Sequence, residues 1–265
     1  MLTLYFSATG NTEFIARVFA RQMGAICLSI EDEINFTQAI KAHDTLAFCY
    51  PIFGSRVPRN MREFVARHMS CINGKKIIIF VTQAGFSGDG ARVFTDMFRA
   101  GAVEVIYAEH FKMPNNIGNI PFLGKAGDES ILRQTEKAEA KMIRVCKDIK
   151  NGKVKKRGFS RFSQLLGNIQ GKVWQGNSKK IGFGTISAEN MAKNRVKVHK
   201  SCTACNLCVK ICPVNNFENV QGKIVPKGNC IICYRCVNRC PKKAISAMVR
   251  IRPRWQYVHP NKNDI

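Results

Sequence analysis

Acidic side chains are scarce in this sequence. Eighteen Asp and Glu face 42 Lys and Arg, and the formal net charge is +24. A surplus of that size steers acidic partners and is weakened by salt. Long hydrophobic runs are missing as well; no stretch reaches the roughly 18 uninterrupted apolar residues of a membrane span. The start, Met1-Leu2-Thr3-Leu4-Tyr5-Phe6, is too short and uncharged for a secretory signal, so a cytoplasmic, reducing location is expected. No Gly-x-Gly-x-x-Gly follows an apolar run, and direct reduction by a nicotinamide is therefore not expected. No Ser-His-Asp set or carboxylate pair stands out, so no catalytic residue is assigned. The five histidines, His43, His68, His110, His199 and His259, show no ligand spacing.

Cysteine, by contrast, is abundant and ordered. Eight of the twelve fall in two runs, Cys202-x2-Cys205-x2-Cys208-x3-Cys212-Pro213 and Cys230-x2-Cys233-x2-Cys236-x3-Cys240-Pro241, offset by 28 positions. Each run matches the bacterial two-cluster pattern for [4Fe–4S] centres, in which three close thiolates hold one cube and the fourth ligates the other. Cys202, Cys205, Cys208 and Cys240 are assigned to one cluster, and Cys230, Cys233, Cys236 and Cys212 to the second. A structural zinc site takes two separated pairs rather than four thiols in eleven residues. A disulfide framework fits a small secreted domain, not a 265-residue chain. Val209, Ile211, Val214, Ile231, Ile232, Val237 and Ile245 are expected to give the clusters a dry shell, which sets the reduction potential. Cys27, Cys49, Cys71 and Cys146 stand singly and read as inert thiols.

Length and charge divide the chain. Residues 1–150 carry 19 basic and 15 acidic side chains, residues 151–200 carry 12 and 1, and residues 201–265 carry 11 and 2. The expected domains are 1–150, a basic, partly helical linker over 151–195, a cluster domain over 196–250 and a loosely ordered tail over 251–265. The first part alternates apolar runs (Leu2–Phe6, Ala25–Ile30, Thr45–Tyr50, Lys76–Thr82, Val103–Glu109) with amphipathic segments (Thr12–Met23, Phe36–Lys41, Pro58–His68, Gly90–Ala100, Glu129–Ile149). That rhythm predicts an α/β fold, a doubly wound parallel sheet of five strands. The first strand leads into Ser7-Ala8-Thr9-Gly10-Asn11-Thr12. Free N–H groups at a helix start and the hydroxyls of Ser7, Thr9 and Thr12 make an anion pocket there, or else a plain capped turn. No lysine is present, so it is not a Walker loop.

Tyr5-Phe6-Ser7-Ala8-Thr9-Gly10-Asn11-Thr12 resembles the phosphate loop of flavodoxins, and residues 1–150 resemble that fold, with strand order 2-1-3-4-5. Residues 200–247 resemble a bacterial two-cluster ferredoxin, a small α+β domain. The whole chain resembles a flavodoxin–ferredoxin fusion of the EFR-type ferrodoxin family. The resemblance implies FMN, with its phosphate on Ser7–Thr12. Its ring would lie between Tyr50-Pro51-Ile52-Phe53-Gly54-Ser55 and Thr82-Gln83-Ala84-Gly85-Phe86-Ser87-Gly88, with Phe53 and Phe86 as candidate stacking rings. Typical flavodoxins are acidic. Here Arg56 and Arg59 follow the first of these loops, so less negative charge is expected beside the reduced flavin.

In the middle segment Phe159, Phe162, Leu165, Leu166 and Ile169 follow helical spacing, and Val173 and Trp174 extend the set. Lys155, Lys156, Arg157, Arg161 and Lys172 flank it. A linker helix packing its apolar face on the domains is the plain expectation; peripheral contact with an anionic membrane is the sharper one. No nucleic-acid partner is expected. The combined reading is an electron-transfer protein that passes low-potential electrons between two [4Fe–4S] clusters, FMN and a redox protein with an acidic docking face. The alternatives are an FMN-dependent reductase of a quinone or aromatic acceptor, and a redox-responsive binding module using the basic segment.

Overall fold

The computed structural model describes residues 1–86, 88–120, 124–175, 190 and 193–260, with backbone alone for 170–175. Ser87 and the side chains of Lys172, Val173 and Trp174, singled out above, lie outside the described residues, as do residues 261–265 of the tail.

A parallel sheet is built from β1 (Leu2–Tyr5), β2 (Ile26–Ser29), β3 (Thr45–Pro51), β4 (Lys76–Gln83), β5 (Glu104–Lys112) and β6 (Lys155–Lys156). Its order is β2-β1-β3-β4-β5-β6. The wholly apolar run Ile77–Val81 is buried because both faces of β4 are covered. Ile77, Ile79 and Val81 pack with α2 (Phe36–Lys41) and α3 (Arg59–Arg67) through Phe36, Met61 and Phe64. Ile78 and Phe80 face α1 (Asn11–Met23) and α5 (Asp128–Lys150) through Phe19 and Met142. Each such side chain contributes roughly 2 kcal/mol on burial. A short α4 (Met69–Ile72) precedes β4.

Three expectations are corrected. The sheet has a sixth strand, drawn from the basic segment, where Tyr107 pairs with Lys155 and Ala108 with Lys156. Two lysines carry no apolar pattern, and the cause is a buried acid. Glu109 is fully buried and holds Lys155 at 2.8 Å, Lys141 at 3.0 Å and Arg157 at 3.3 Å. The α-helix expected over Gly90–Ala100 is instead a 3-10 helix, Arg92–Met97. There the Thr95 hydroxyl donates to the Arg92 carbonyl at 2.7 Å, competing with the α-helical pattern. Finally, α6 (Arg161–Gln175) does not bury its apolar stripe. It packs through Gly167, where a Cβ would lie 1.6 Å from an Asp89 carboxylate oxygen. Phe162, Leu165 and Ile169 therefore face outward, each more than half exposed.

The C-terminal part has β7 (Lys197–Val198) paired with β10 (Ile245–Ser246), a β8–β9 hairpin (Phe217–Val220, Lys223–Pro226), and short helices Leu207–Ile211 and Arg235–Arg239. Its own core holds Phe217, Ile224, Tyr234, Val237 and Ile245. Ile231 and Cys233, however, pack within the core of the sheet domain. Arg235 crosses the same junction. It donates to the Ser7 carbonyl at 2.7 Å, pairs with Glu31, and lies over the Phe6 ring at 5.7 Å. Among the described residues no helix is long and apolar enough to cross a membrane.

Burial alone would raise the Glu109 carboxyl. Hydrogen bonds from Lys155 and the His110 N–H, with the Lys141 ammonium, overcome it and bring the pKa to about 2. A depressed carboxylate stabilises the fold above its unfolded value near 4.5, and that contribution fades as pH falls toward 2. Glu109→Gln should therefore cost on the order of 3 kcal/mol at neutral pH. It should also flatten the acid limb of the stability profile, as urea unfolding from pH 7 to pH 2 would show.

Candidate functional site

The loop between β1 and α1 begins the site. Gly10, just before α1, has φ 100°, a left-handed conformation that glycine adopts without a Cβ penalty. A Cβ there would also meet the His259 Cβ at 2.7 Å. The Gly10 N–H donates to the Ser7 hydroxyl at 3.2 Å, and the hydroxyls of Thr12 and Thr82 lie 2.7 Å apart. Ser7, Thr9 and Thr12 are buried, so hydroxyls and free helix N–H groups converge in a dry, uncharged recess suited to an anion.

This recess opens into a cavity of about 210 Å³. Its walls include Ser7, Ala8, Thr9, Asn11, Thr12, Pro51, Ile52, Phe53, Gly54, Thr82, Gln83 and Ala84. Gly10, Gly85 and Phe86, proposed from sequence, are not among its lining residues, and Phe86 is 57% exposed. The β3 loop closes in a tight turn in which Phe53 and Arg56 exchange backbone hydrogen bonds, with Gly54 at φ 54° and Ser55 at φ 60°. Arg56 turns toward Asp89, 3.8 Å away. Arg59 donates to the Asn229 carbonyl at 2.6 Å. Neither arginine lines the cavity. The Gln83 side-chain oxygen is buried with no partner among the described residues. A planar ring with an N–H edge would satisfy it.

Two further walls were not legible in the sequence. One is Met113-Pro114-Asn115-Asn116-Ile117, following β5. Asn11 donates to the Pro114 carbonyl at 2.9 Å, and Asn116 to the Thr9 hydroxyl at 3.1 Å. The Pro-Asn-Asn run was the available signal. The other wall is Ile232-Cys233-Tyr234 with Met248, all from the C-terminal part. Nothing local in the sequence indicates which cysteine loop faces the sheet domain.

The cysteines surround two smaller cavities. One is lined by Cys202, Cys205, Cys208 and Cys240, and also by Cys236. The other is lined by Cys212, Cys230, Cys233 and Cys236. Each fourth cysteine thus reaches the cavity of the opposite run. Among the described residues no three His, Cys, Asp or Glu side chains are grouped to hold a single metal ion. Thiols around a void suit a cluster better than a lone zinc.

The backbone repeats with the sequence. Ala204 and Asn206 have positive φ, and so do Ile232 and Tyr234, 28 positions on; Asn215 and Lys243 form a third such pair. These conformations cost on the order of 1–3 kcal/mol each and aim N–H groups at sulfur. Ala204 N–H donates to Cys202 Sγ at 3.4 Å and Ile232 N–H to Cys230 Sγ at 3.2 Å. Asn216 and Ala244 N–H groups reach Cys212 and Cys240 Sγ, each at 3.2 Å. Such dipoles stabilise thiolate charge. Burial pushes the Cys208 and Cys230 thiols up to about 11 and Cys233 to about 12, so iron must displace their protons as it binds.

Of the expected shell, Ile211 and Ile245 line the first cavity and Val214 and Ile231 the second, while Val209, Ile232 and Val237 pack in the surrounding core. Cys49 and Cys146 are buried and Cys27 and Cys71 half-buried. His199 is half-buried and lies 3.0 Å from the Ser246 hydroxyl.

The expectation of a loose tail is corrected as far as residue 260. Tyr257 and His259 are buried. The Tyr257 hydroxyl donates to Asn11 Oδ1 at 2.6 Å and the His259 N–H to the Thr9 carbonyl at 2.7 Å. The His259 ring stacks on Phe14 at 4.6 Å, and burial lowers its pKa to about 4. Apolar and hydrogen-bonding partners on α1 thus fix a segment whose own sequence is short and basic.

A family model for a flavodoxin domain matches residues 2–118, and one for a 4Fe-4S dicluster domain matches residues 189–245. The chain is a fusion of an N-terminal flavodoxin with a C-terminal ferredoxin, an electron-transfer flavo-iron–sulfur protein. It is built to carry a flavin and iron–sulfur clusters.

No curated protein matches the chain. Similar solved structures include a flavodoxin from the domain Archaea, at 15% identity over 56% of this chain and 97% of its own, with a TM-score of 0.39. The two-electron reduced flavodoxin of Megasphaera elsdenii is 18% identical over 53% and 99%, with a TM-score of 0.37. The Trp repressor binding protein of Bacillus subtilis is 14% identical over 54% and 96%, with a TM-score of 0.40.

Tyr257→Phe removes the tail's hydrogen bond to Asn11 and leaves a buried oxygen short of a donor. The loss of about 1 kcal/mol should weaken flavin binding by about fivefold, read by fluorescence titration of the apoprotein.

Proposed function

We propose that this protein passes low-potential electrons between two [4Fe–4S] clusters and FMN within one chain. The observation that carries this is a shared wall. Cys233 and Tyr234 line both the large cavity and the second cysteine cavity. A thiolate at Cys233 would thus touch the iron it ligates and the ring space at once. Cys236 borders both cysteine cavities, which supports a relay from one to the other.

The clusters supply single electrons, and the flavin stores one or two. The chain's part is to hold these groups close, dry and aligned. Ser7, Thr9 and Thr12 with the α1 N–H groups would bind the phosphate, and Gln83 would accept from the ring edge. Pro51, Ile52, Phe53, Gly54 and Ala84 would enclose the ring. Cys202, Cys205, Cys208 and Cys240 would hold the first cluster, and Cys230, Cys233, Cys236 and Cys212 the second. We place the protein in the cytoplasm, where thiols stay reduced.

Anaerobic purification should yield about eight irons and one FMN per chain, as two cubes and one flavin require. Substitutions should sort by cluster in EPR spectra of the reduced protein. Cys240→Ser should disturb the same signal as Cys202→Ser, and Cys212→Ser the same signal as Cys230→Ser. Sorting by run instead would contradict the ligand sets.

A further inference from the structure

We propose that an acidic one-electron carrier protein docks at the rim of the first cysteine cavity, around Cys205. This rests on the function proposed above and adds where electrons come in and what brings them. Electron transfer falls off steeply with distance, so a port needs a ligand at the surface. Of the eight cluster cysteines, Cys205 is the exposed one. Thr203, Pro241 and Lys242 beside it are exposed too, and all three line that cavity. No residue lining the second cavity is exposed. Cys233 is buried in the core shared with the flavodoxin domain, and Arg59 and Arg235 close the junction around it. A carrier therefore reaches the first cavity directly and the second only through it.

Charge selects the carrier. Residues 193–260 hold fourteen Lys and Arg against one acid, Glu218. Lys242 lines the rim, Lys200 and Lys210 lie two residues in sequence from its cysteines Cys202 and Cys208, and all three are exposed. A face of one sign accelerates docking of the opposite sign and repels its own. The step would move one electron: the carrier would be oxidised by one, and the cluster that Cys202, Cys205, Cys208 and Cys240 would hold would be reduced by one. No bond forms or breaks.

The test uses the anaerobic holoprotein and an acidic plant-type [2Fe–2S] ferredoxin as probe, with binding measured by calorimetry at low salt. Lys210→Glu with Lys242→Glu should weaken binding by at least about tenfold and reduce its salt dependence. Arg133→Glu with Lys137→Glu, two exposed positions on α5, should change it by less than about twofold. Equal weakening by both pairs, no weakening by the first, or no measurable binding would overturn the proposal. So would binding of the holoprotein to phosphatidylglycerol vesicles with no affinity for the ferredoxin. If the first pair lowers iron content, Lys200→Glu replaces it. Photochemical reduction by a deazaflavin, with no carrier present, separates the two readings. Electrons that then reach the flavin equally in parent and variant confirm the internal path whatever the docking result; electrons that do not reach it in the parent remove the function itself.

Discussion

One loop, Ile231-Ile232-Cys233-Tyr234-Arg235, bonds the two halves of this protein and defines its site. Ile231 and Cys233 pack in the flavodoxin core, and Ile232 and Tyr234 stand in the large cavity at left-handed backbone angles. Arg235 reaches the Ser7 carbonyl and Glu31. The same five residues therefore act as core, cavity wall, cysteine ligand loop and interdomain tie. Removing the contact would separate the two cofactor sites and expose apolar surface from both domains.

The surrounding tethers support that contact. Arg59 holds Asn229, Asn238 donates to the Asn116 carbonyl at 2.9 Å, and Asn119 donates to the Ala247 carbonyl at 2.8 Å. The tail then crosses back to the phosphate loop through Tyr257 and His259. The loop after β5 is thus held from both the cysteine domain and the tail. Apart from the Arg59 contact these are neutral hydrogen bonds, buried or partly buried, which salt weakens less than the charges of the basic outer face.

Much of this was readable in advance, for identifiable reasons. Strand and helix positions followed from apolar runs such as Ile77–Val81 and from periodic segments such as Asn11–Met23, where burial dictates residue type. The cysteine spacing announced its chemistry because four thiolates wrapping cubes leave few other arrangements. What the pattern hid depends on long-range partners. Lys155 and Lys156 become a strand only because Glu109 lies buried beside them. The stripe of α6 faces outward because Gly167 fits against Asp89. The tail is fixed by Phe14 and Asn11, over two hundred residues away in sequence.

The central claim is that charge moves inside a single molecule, from cysteine-held iron to flavin across Cys233. The most direct measurement is transient absorbance after a light pulse that reduces the iron in the anaerobic holoprotein. The account predicts flavin bleaching whose rate is the same at every protein concentration. A rate rising in proportion to concentration, or iron that stays reduced while the flavin stays oxidised, would contradict it.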